Sequence, residues 1–235
     1  MHNRQNNTAL LVFSRTPREE AAVKTFDAGI GRKGNTAIAR RLLRHTLETA
    51  RQSQLPVFTS YSSQQRGEHF GERLANAIEE LFRQGFTAVI AIGNDTPDLC
   101  TDLLRQAERQ LQSHPLVLGP AKDGGLYLIG LHRSAYQRRS FIELPWESDQ
   151  LQAHCQHYAT AQQLARPFWL RLCADIDNPW DFHRFLNSRA INDALRQSLL
   201  PLLTNPTPRL SRKALPHRST FLHLPIGLRA PPALF

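Results

Sequence analysis

A carboxylate follows the most apolar run of the chain at the point where a predicted strand ends. Asp95 comes two residues after TAVIAIG, residues 87–93. Ligands of open α/β sheets bind beside the carboxyl ends of the strands, so this position is a candidate site. An aspartate there can hold Mg²⁺ or Mn²⁺, hard cations that take oxygen ligands and bridge to phosphates. The same residue can equally close an Asx turn before Pro97.

Two further acidic segments follow later runs of strand character. The stretch KDGG, residues 122–125, lies between two apolar runs, and its Asp-Gly pair predicts a hairpin without any functional role. Gly124 and Gly125 would also let a ligand approach the backbone closely, beside Asp123. The segment ADIDNPWDF, residues 174–182, supplies Asp175 and Asp177 after another strand, and Asp177 or Asn178 can alternatively cap a helix.

Cationic side chains follow the first strand. Arg15 and Lys24 lie in SRTPREEAAVKTF, where they are able to neutralise a diphosphate, although a solvated loop explains them as well. Trp146, in ELPWES, fits either a core aromatic or a lid residue.

The elements that must position these residues alternate between strands and helices. Apolar runs predict strands at 9–14, 56–61, 87–93, 116–119, 126–131 and 168–173. Helical periodicity begins at residue 35 and returns at 70–82, from a cap at Asp98 or Thr101 to about 111, at 148–164 and in 179–203. Residues 15–34 are expected to form a loop. The alternation predicts a largely parallel sheet covered by helices on both faces.

Composition separates a body from a tail. The formal charge is +9, of which residues 205–235 carry +5 with no acid, together with six of the fifteen prolines. We predict one domain over 1–204 and an irregular basic tail over 205–235. The mildly basic body argues against nucleic-acid binding as the main role. Apolar runs near the start are too short for a signal peptide or a membrane span, so we expect a cytoplasmic protein.

Five segments in order resemble a bacterial family of GT-A-like transferases that is often encoded beside radical-SAM and selenodomain proteins. They are LLVFSRTP…VKT (10–25), FGERLANAIEELFRQGFTAVIAIGNDTPDL (70–99), LGPAKDGGLYLIGL (118–131), LPWES (144–148) and DIDNPWDF (175–182). More distantly, the chain is similar to 2-phospholactate guanylyltransferase and to the molybdenum-cofactor guanylyltransferases.

This resemblance implies a three-layer α/β/α nucleotide-diphospho-sugar transferase fold with a mixed, mostly parallel sheet. It implies a nucleotide sugar or nucleoside triphosphate as ligand, with Mg²⁺ or Mn²⁺ as cofactor. Lys24, with Arg15, would contact nucleotide phosphates, and Asp95 and Asp177 would be the catalytic carboxylates and the metal ligands. Asp123, Gly124, Gly125 and Trp146 would line the side of the sugar or acceptor.

The chain departs from the family pattern in the first loop, where Arg18-Glu19 replaces Pro-Gly and Phe26 replaces an arginine. Loss of a cation from a phosphate loop would weaken or abolish turnover. Three functions therefore remain open: a metal-dependent glycosyltransferase, a nucleotidyltransferase that releases pyrophosphate, and a catalytically degenerate nucleotide-binding protein.

Overall fold

The computed structural model describes residues 7–188 and 191–204. The strands are β1 (Thr8–Ser14), β2 (Val57–Tyr61), β3 (Ala88–Ile92), β4 (Leu116–Pro120), β5 (Leu126–His132) and β6 (Phe168–Trp169). The helices are α1 (Pro17–Val23), α2 (Gly31–Gln52), α3 (Phe70–Arg83), α4 (Thr101–Gln110), α5 (Arg138–Ile142), α6 (Leu151–Ala161), α7 (Pro179–Leu186) and α8 (Asp193–Thr204). The predicted tail, 205–235, lies outside the described residues.

All six strands form one sheet in the order β2-β1-β3-β5-β4-β6. β1 pairs in parallel with β2 and β3, and β4 pairs in parallel with β6, while β5 runs antiparallel to both of its neighbours. Five strands therefore end at the same edge of the sheet, which we call the carboxyl edge. The predicted mixed, mostly parallel sheet is confirmed.

Helices cover both faces of the sheet because the central strands are apolar on both sides. In β1, Leu11 packs into a core with α3 and α6, whereas Leu10 and Val12 pack into the opposite core with α2 and α4. This alternation follows from the two-residue period of a strand. A third cluster joins α2 to α7 and α8 around Phe182 and Leu199, which are both fully buried.

Three local predictions differ from the structure. The expected loop at 15–34 contains α1, because Thr16 and Glu19 form a capping box and Pro17 occupies the first helical position. Helix α4 begins after Cys100 without any side-chain cap, so the predicted caps at Asp98 and Thr101 are wrong. The sixth strand is shorter than predicted: it ends at Trp169, and beyond it an isolated bridge joins Cys173 to Ala121, the residue after β4.

Candidate active site at the carboxyl edge

The loops that follow the parallel strands border one cavity of about 600 Å³ at the carboxyl edge. Arg15 follows β1, Asp95 follows β3, and Asp175 comes after the β6 segment. The β4–β5 hairpin contributes Asp123 at the same edge because β5 runs back from it. The sheet thus brings together residues that are 160 positions apart in the chain.

Lys24 ties two of these loops together beside the cavity. Its Nζ lies 3.0 Å from Asp95 Oδ2 and 2.8 Å from Asp177 Oδ1, and it also donates to the carbonyl oxygen of Ile176 at 3.3 Å. Burial by itself lowers the pKa of Lys24. The nearby charges of Asp95, Glu20 and Asp177 outweigh that effect, so its pKa lies well above the ordinary value. Lys24 is therefore a permanent cation between carboxylates.

A buried acid holds both predicted phosphate-binding cations. Glu20 is 3% exposed, and its Oε1 lies 3.4 Å from Lys24 Nζ, while its Oε2 lies 3.5 Å from an Arg15 guanidinium nitrogen. Arg15 is half-exposed and also approaches Glu147 at 3.9 Å. Helix α1 carries Glu20, and Lys24 follows the helix one turn later, so α1 sets the contact between these two residues.

Asp175 is the most perturbed carboxyl group of the site. Burial raises its pKa to about 8, and the negative charge of Asp95 contributes in the same direction, with smaller contributions from Asp123 and Asp177. The hydroxyl of Thr96 donates a hydrogen bond to Asp175 Oδ1, which opposes the shift. The loop after β3, which carries Asp95, and the segment that carries Asp175 thus bring two acidic side chains close together, and this environment favours the protonated form of Asp175.

The backbone fixes the same pair of loops. The N–H of Ile176 donates to the carbonyl oxygen of Asp95 at 2.9 Å. Gly93 leaves room for the Asp95 side chain, because a Cβ at residue 93 would lie 2.9 Å from Asp95 Oδ1. The position of Asp95 is therefore determined by the end of β3, by Lys24 and by the segment that carries Asp175.

The predicted hairpin forms, and its residues have different surroundings. Asp123 Oδ1 accepts a hydrogen bond from the N–H of Gly125 at 2.9 Å, and both residues border the cavity. Gly124 has a φ of +92°, and a Cβ there would lie 2.3 Å from the carbonyl oxygen of Asp149. The close approach at Gly124 is thus made by the chain itself.

Trp146 forms a wall of the cavity. Its indole N–H donates to the carbonyl oxygen of Phe141 at 2.8 Å, and its ring packs on Phe141 and Phe70 with centroids 4.9 and 5.6 Å away. The ring also fills the space above Gly71, where a Cβ would lie 2.5 Å from it. Of the two roles left open by the sequence, the packing matches a partly buried core aromatic.

The three residues that depart from the family pattern are Arg18, Glu19 and Phe26, and two of them, Glu19 and Phe26, stabilise the fold. Phe26 is 2% exposed and packs edge-on against Phe182, with its backbone N–H donating to Asn35 Oδ1 at 2.7 Å. Glu19 closes the capping box of α1, and Arg18 is exposed on the same turn. The side chain of Phe26 therefore points into the core and supplies no contact to the cavity, and the loss of a phosphate contact at this position stays a prediction.

Several cavity residues were not identified from the sequence. Six carboxylate side chains border the cavity, from Glu19, Glu20, Asp95, Asp123, Glu147 and Asp175, against the two guanidinium groups of Arg15 and Arg73. Sequence reasoning chose Asp177 over Asp175 as the second carboxylate. The two are separated only by buried Ile176, so spacing alone could not show that Asp175 borders the cavity while Asp177 binds Lys24.

The donor set suits a hard divalent cation that is shared with a ligand. Asp95 and Asp175 offer carboxyl oxygens at the cavity, where burial and, to a smaller extent, the charge of Asp95 raise the pKa of Asp175. Within residues 7–188 and 191–204, no three His, Cys, Asp or Glu side chains are grouped as metal ligands. Mg²⁺ commonly binds through one or two carboxylates plus substrate phosphates, so two carboxylates fit such an ion.

Comparison with solved structures defines the class of fold. A protein of Desulfovibrio desulfuricans G20, provisionally described as a nucleotide-diphospho-sugar transferase, superposes with a TM-score of 0.69 at 21% identity, over 85% of this chain and 98% of that one. This chain has the same three-layer α/β fold, as predicted. Residues 34–148 match the family described as "Uncharacterized protein conserved in bacteria (DUF2064)", which confirms the bacterial family resemblance seen in the sequence.

Two other solved structures are more distant. Rv0371c of Mycobacterium tuberculosis H37Rv gives a TM-score of 0.48 at 13% identity over 77% of this chain and 97% of that one. A CMP:2-keto-3-deoxy-manno-octonic acid synthetase complexed with CTP gives 0.42 at 12% identity over 75% and 96%. No curated protein matches the chain. In the described part of the chain, no helix is both long and apolar enough to cross a membrane.

Proposed function

We propose that the protein is a metal-dependent transferase that uses a nucleotide-diphospho-sugar as donor. One observation carries this proposal: Asp95 and Asp175 lie together on a cavity at the carboxyl edge of the sheet, where acids outnumber cations. A free diphosphate would be repelled by such a lining. A diphosphate that arrives with a divalent cation would be attracted by it.

Asp95 and Asp175 are the residues proposed to hold the metal. The second oxygen of Asp95 is engaged by Lys24 and the first oxygen of Asp175 by Thr96, and each carboxylate has another oxygen for a ligand. Asp177 pairs with Lys24, so we assign it to the positioning of Lys24. A bound divalent cation would act as a Lewis acid that stabilises the charge developing on a nucleoside diphosphate leaving group.

Arg15 and Lys24 are proposed to stabilise the phosphates of the ligand. Arg15 is half-exposed at the cavity, and its ion pairs with Glu20 and Glu147 are long, at 3.5 and 3.9 Å, so its guanidinium is able to turn towards a phosphate. Lys24 is more constrained, because it is 12% exposed and already contacts three carboxylates. Its main contribution is therefore to hold Asp95 in place and to limit the negative charge around it.

Nucleotidyl transfer is the alternative, because the same carboxylates and cations would also serve attack on the α-phosphate of a nucleoside triphosphate. A catalytically degenerate nucleotide-binding protein is the third function, because a buried phenylalanine, Phe26, stands where the family pattern has an arginine. A thermal-shift screen of nucleoside diphosphates, nucleotide sugars and triphosphates, each with and without Mn²⁺, tests the proposal, because a ligand of the native state raises the midpoint.

The screen and a product assay separate the three functions. A manganese-dependent shift with nucleotide sugars, followed by release of nucleoside diphosphate on incubation with acceptors, supports glycosyl transfer. Release of pyrophosphate from a triphosphate supports nucleotidyl transfer instead. Binding without either product supports a non-catalytic nucleotide-binding protein. The absence of a shift with every nucleotide would contradict the proposal.

A further inference from the structure

Part of the cavity lining is apolar and is not explained by the carboxylates; we call this part the apolar end. Its walls are Phe13, Phe70, Leu74, Trp146 and Leu151, which all belong to or pack against the core cluster between the sheet and helices α3 and α6. The aromatic walls are fixed by mutual packing, with the Phe13 and Phe70 centroids 5.5 Å apart. Trp146 offers only ring atoms here, because its indole N–H already donates to Phe141.

Two buried polar atoms at this end, Ser14 Oγ and Arg73 Nε, lack hydrogen-bond partners within the described chain. Ser14, the last residue of β1, is 6% exposed, and its Oγ is buried and unpaired. Arg73 lies on α3 and borders the cavity. One terminal nitrogen of Arg73 donates to the carbonyl oxygen of Glu68 at 3.3 Å, whereas its buried Nε is unpaired in the described residues.

Unpaired buried polar groups are costly, and a ligand that bonds to them recovers that cost. The guanidinium Nε–H can only donate, and the serine hydroxyl can donate as well. The apolar end therefore suits a flat group with apolar faces and a hydrogen-bond acceptor on its edge. A sugar has an apolar C–H face that can stack on an aromatic ring, but its several hydroxyl groups need more hydrogen-bond partners than the two unpaired atoms at this end supply.

We propose that this end binds the nucleobase, and that Arg73 and Ser14 select bases with a ring carbonyl over bases with an exocyclic amine. This inference rests on the proposed function, since the phosphates must lie towards Asp95 for the base to reach the aromatic walls. The rings of Phe70 and Trp146 contact each other, so together they pack on one face of the base, as aromatic side chains do with nucleobases generally. Arg73 and Ser14 donate to the carbonyl oxygen at its edge.

Two matched pairs of nucleotides isolate the selective contact. Inosine and adenosine diphosphates differ at position 6 of the purine, and uridine and cytidine diphosphates differ at position 4 of the pyrimidine, each as carbonyl against amine. Calorimetric titration of all four into the full chain with Mn²⁺ should give at least about tenfold tighter binding for the carbonyl member of a pair, the value of one charged hydrogen bond.

Arg73→Met and Ser14→Ala should reduce that preference to less than about threefold while binding of the amine member changes little. Arg83→Met is the matched control, because Arg83 lies on the same helix and is largely exposed. It should keep the wild-type preference.

The outcomes distinguish this inference from the proposed function. Equal affinities within both pairs, or a preference for the amine, would overturn the base selection while leaving nucleotide binding intact. A carbonyl preference that survives in Arg73→Met and Ser14→Ala would also overturn it. If none of the four nucleotides binds the wild-type chain, the proposed function fails and this inference fails with it.

Discussion

Lys24 is the side chain on which the geometry of the carboxyl edge depends most. It contacts oxygens from α1, from the loop after β3 and from the segment before α7, within 2.8–3.4 Å. A cation at this point lets Asp95 and Asp177 approach each other. The sequence predicted that Lys24 and Asp95 would share a site, but it predicted a phosphate contact for Lys24, which stays a prediction.

The assignment of Phe26 to the core predicts the effect of a substitution on stability. Phe26→Arg would place a guanidinium in the apolar cluster with Phe182 and Ile38, so we expect a loss of at least roughly 3 kcal/mol in the free energy of unfolding. Urea denaturation measures this loss. Arg18→Ala, on an exposed turn nearby, should change stability by less than about 0.5 kcal/mol. Unchanged stability of Phe26→Arg would contradict the assignment of Phe26 to the core.

The β4–β5 hairpin borders the cavity, and its turn requires a glycine at residue 124. Gly124 has a φ of +92° and would place a Cβ against the backbone of Asp149. Gly85 has a similar φ of +100°, but nothing lies within 4 Å of a Cβ there. The two glycines therefore share the conformational requirement and differ only in the surrounding space.

Gly124→Ala should destabilise the protein more than Gly85→Ala. Both substitutions strain a positive φ, at a cost of roughly 1–3 kcal/mol, and only the first adds a collision, for about 1–3 kcal/mol more. Denaturant unfolding of the two variants gives the difference directly. Equal losses would show that the segment at Asp149 moves away easily and does not fix the hairpin.

The elements differ in how well the sequence predicted them. β1 and β3 are buried on both faces, so their continuous apolar runs identified them to within one residue at each end. Helix α1 was missed although Thr16, Pro17 and Glu19 are a start signal, because its seven residues show no apolar period. β6 was predicted too long because only Phe168 and Trp169 of the run 168–173 pair in register with β4, while Cys173 forms an isolated bridge with Ala121, just past β4.

The candidate site was predictable only in part, because its residues come from strand ends that are distant in the chain. Acids after strand ends could be recognised along the chain, and Arg15, Asp95, Asp123, Gly125 and Trp146 do border one cavity. Which of Asp175 and Asp177 faces that cavity depends on how the segment before α7 crosses the end of β3. The unpaired groups of Ser14 and Arg73 depend on packing between distant elements, which leaves no local signal.

The boundary of the folded body gives a prediction for the whole molecule. Leu195 and Leu199 of α8 are buried against α2 and α7, so the body should need α8 but not residues 205–235. We expect a chain that ends at Thr204 to unfold cooperatively with a midpoint close to that of the full chain. A chain that ends at Ser188 should be strongly destabilised, because it loses two buried leucines, Leu195 and Leu199, worth roughly 1.5–3 kcal/mol each. Insolubility of the 1–204 chain would contradict this boundary.

The central claim is that Asp95 joins the protein, through a divalent metal, to a nucleotide diphosphate. Asp95→Asn removes a charged oxygen ligand but keeps the size of the side chain, so the fold should survive. Asp102→Asn is the control, because Asp102 is an exposed acid on the first turn of α4. Any loss caused merely by a change in net charge should appear in both variants.

Calorimetric titration of a nucleoside diphosphate into wild type, Asp95→Asn and Asp102→Asn, each with Mn²⁺ and with chelator, tests this claim most directly. We expect manganese-dependent binding in wild type and Asp102→Asn, and a loss of at least about tenfold in affinity for Asp95→Asn, as for a lost charged interaction. With chelator, all three proteins should bind weakly and alike. Equal affinity of wild type and Asp95→Asn in both conditions would contradict the metal-bridged site.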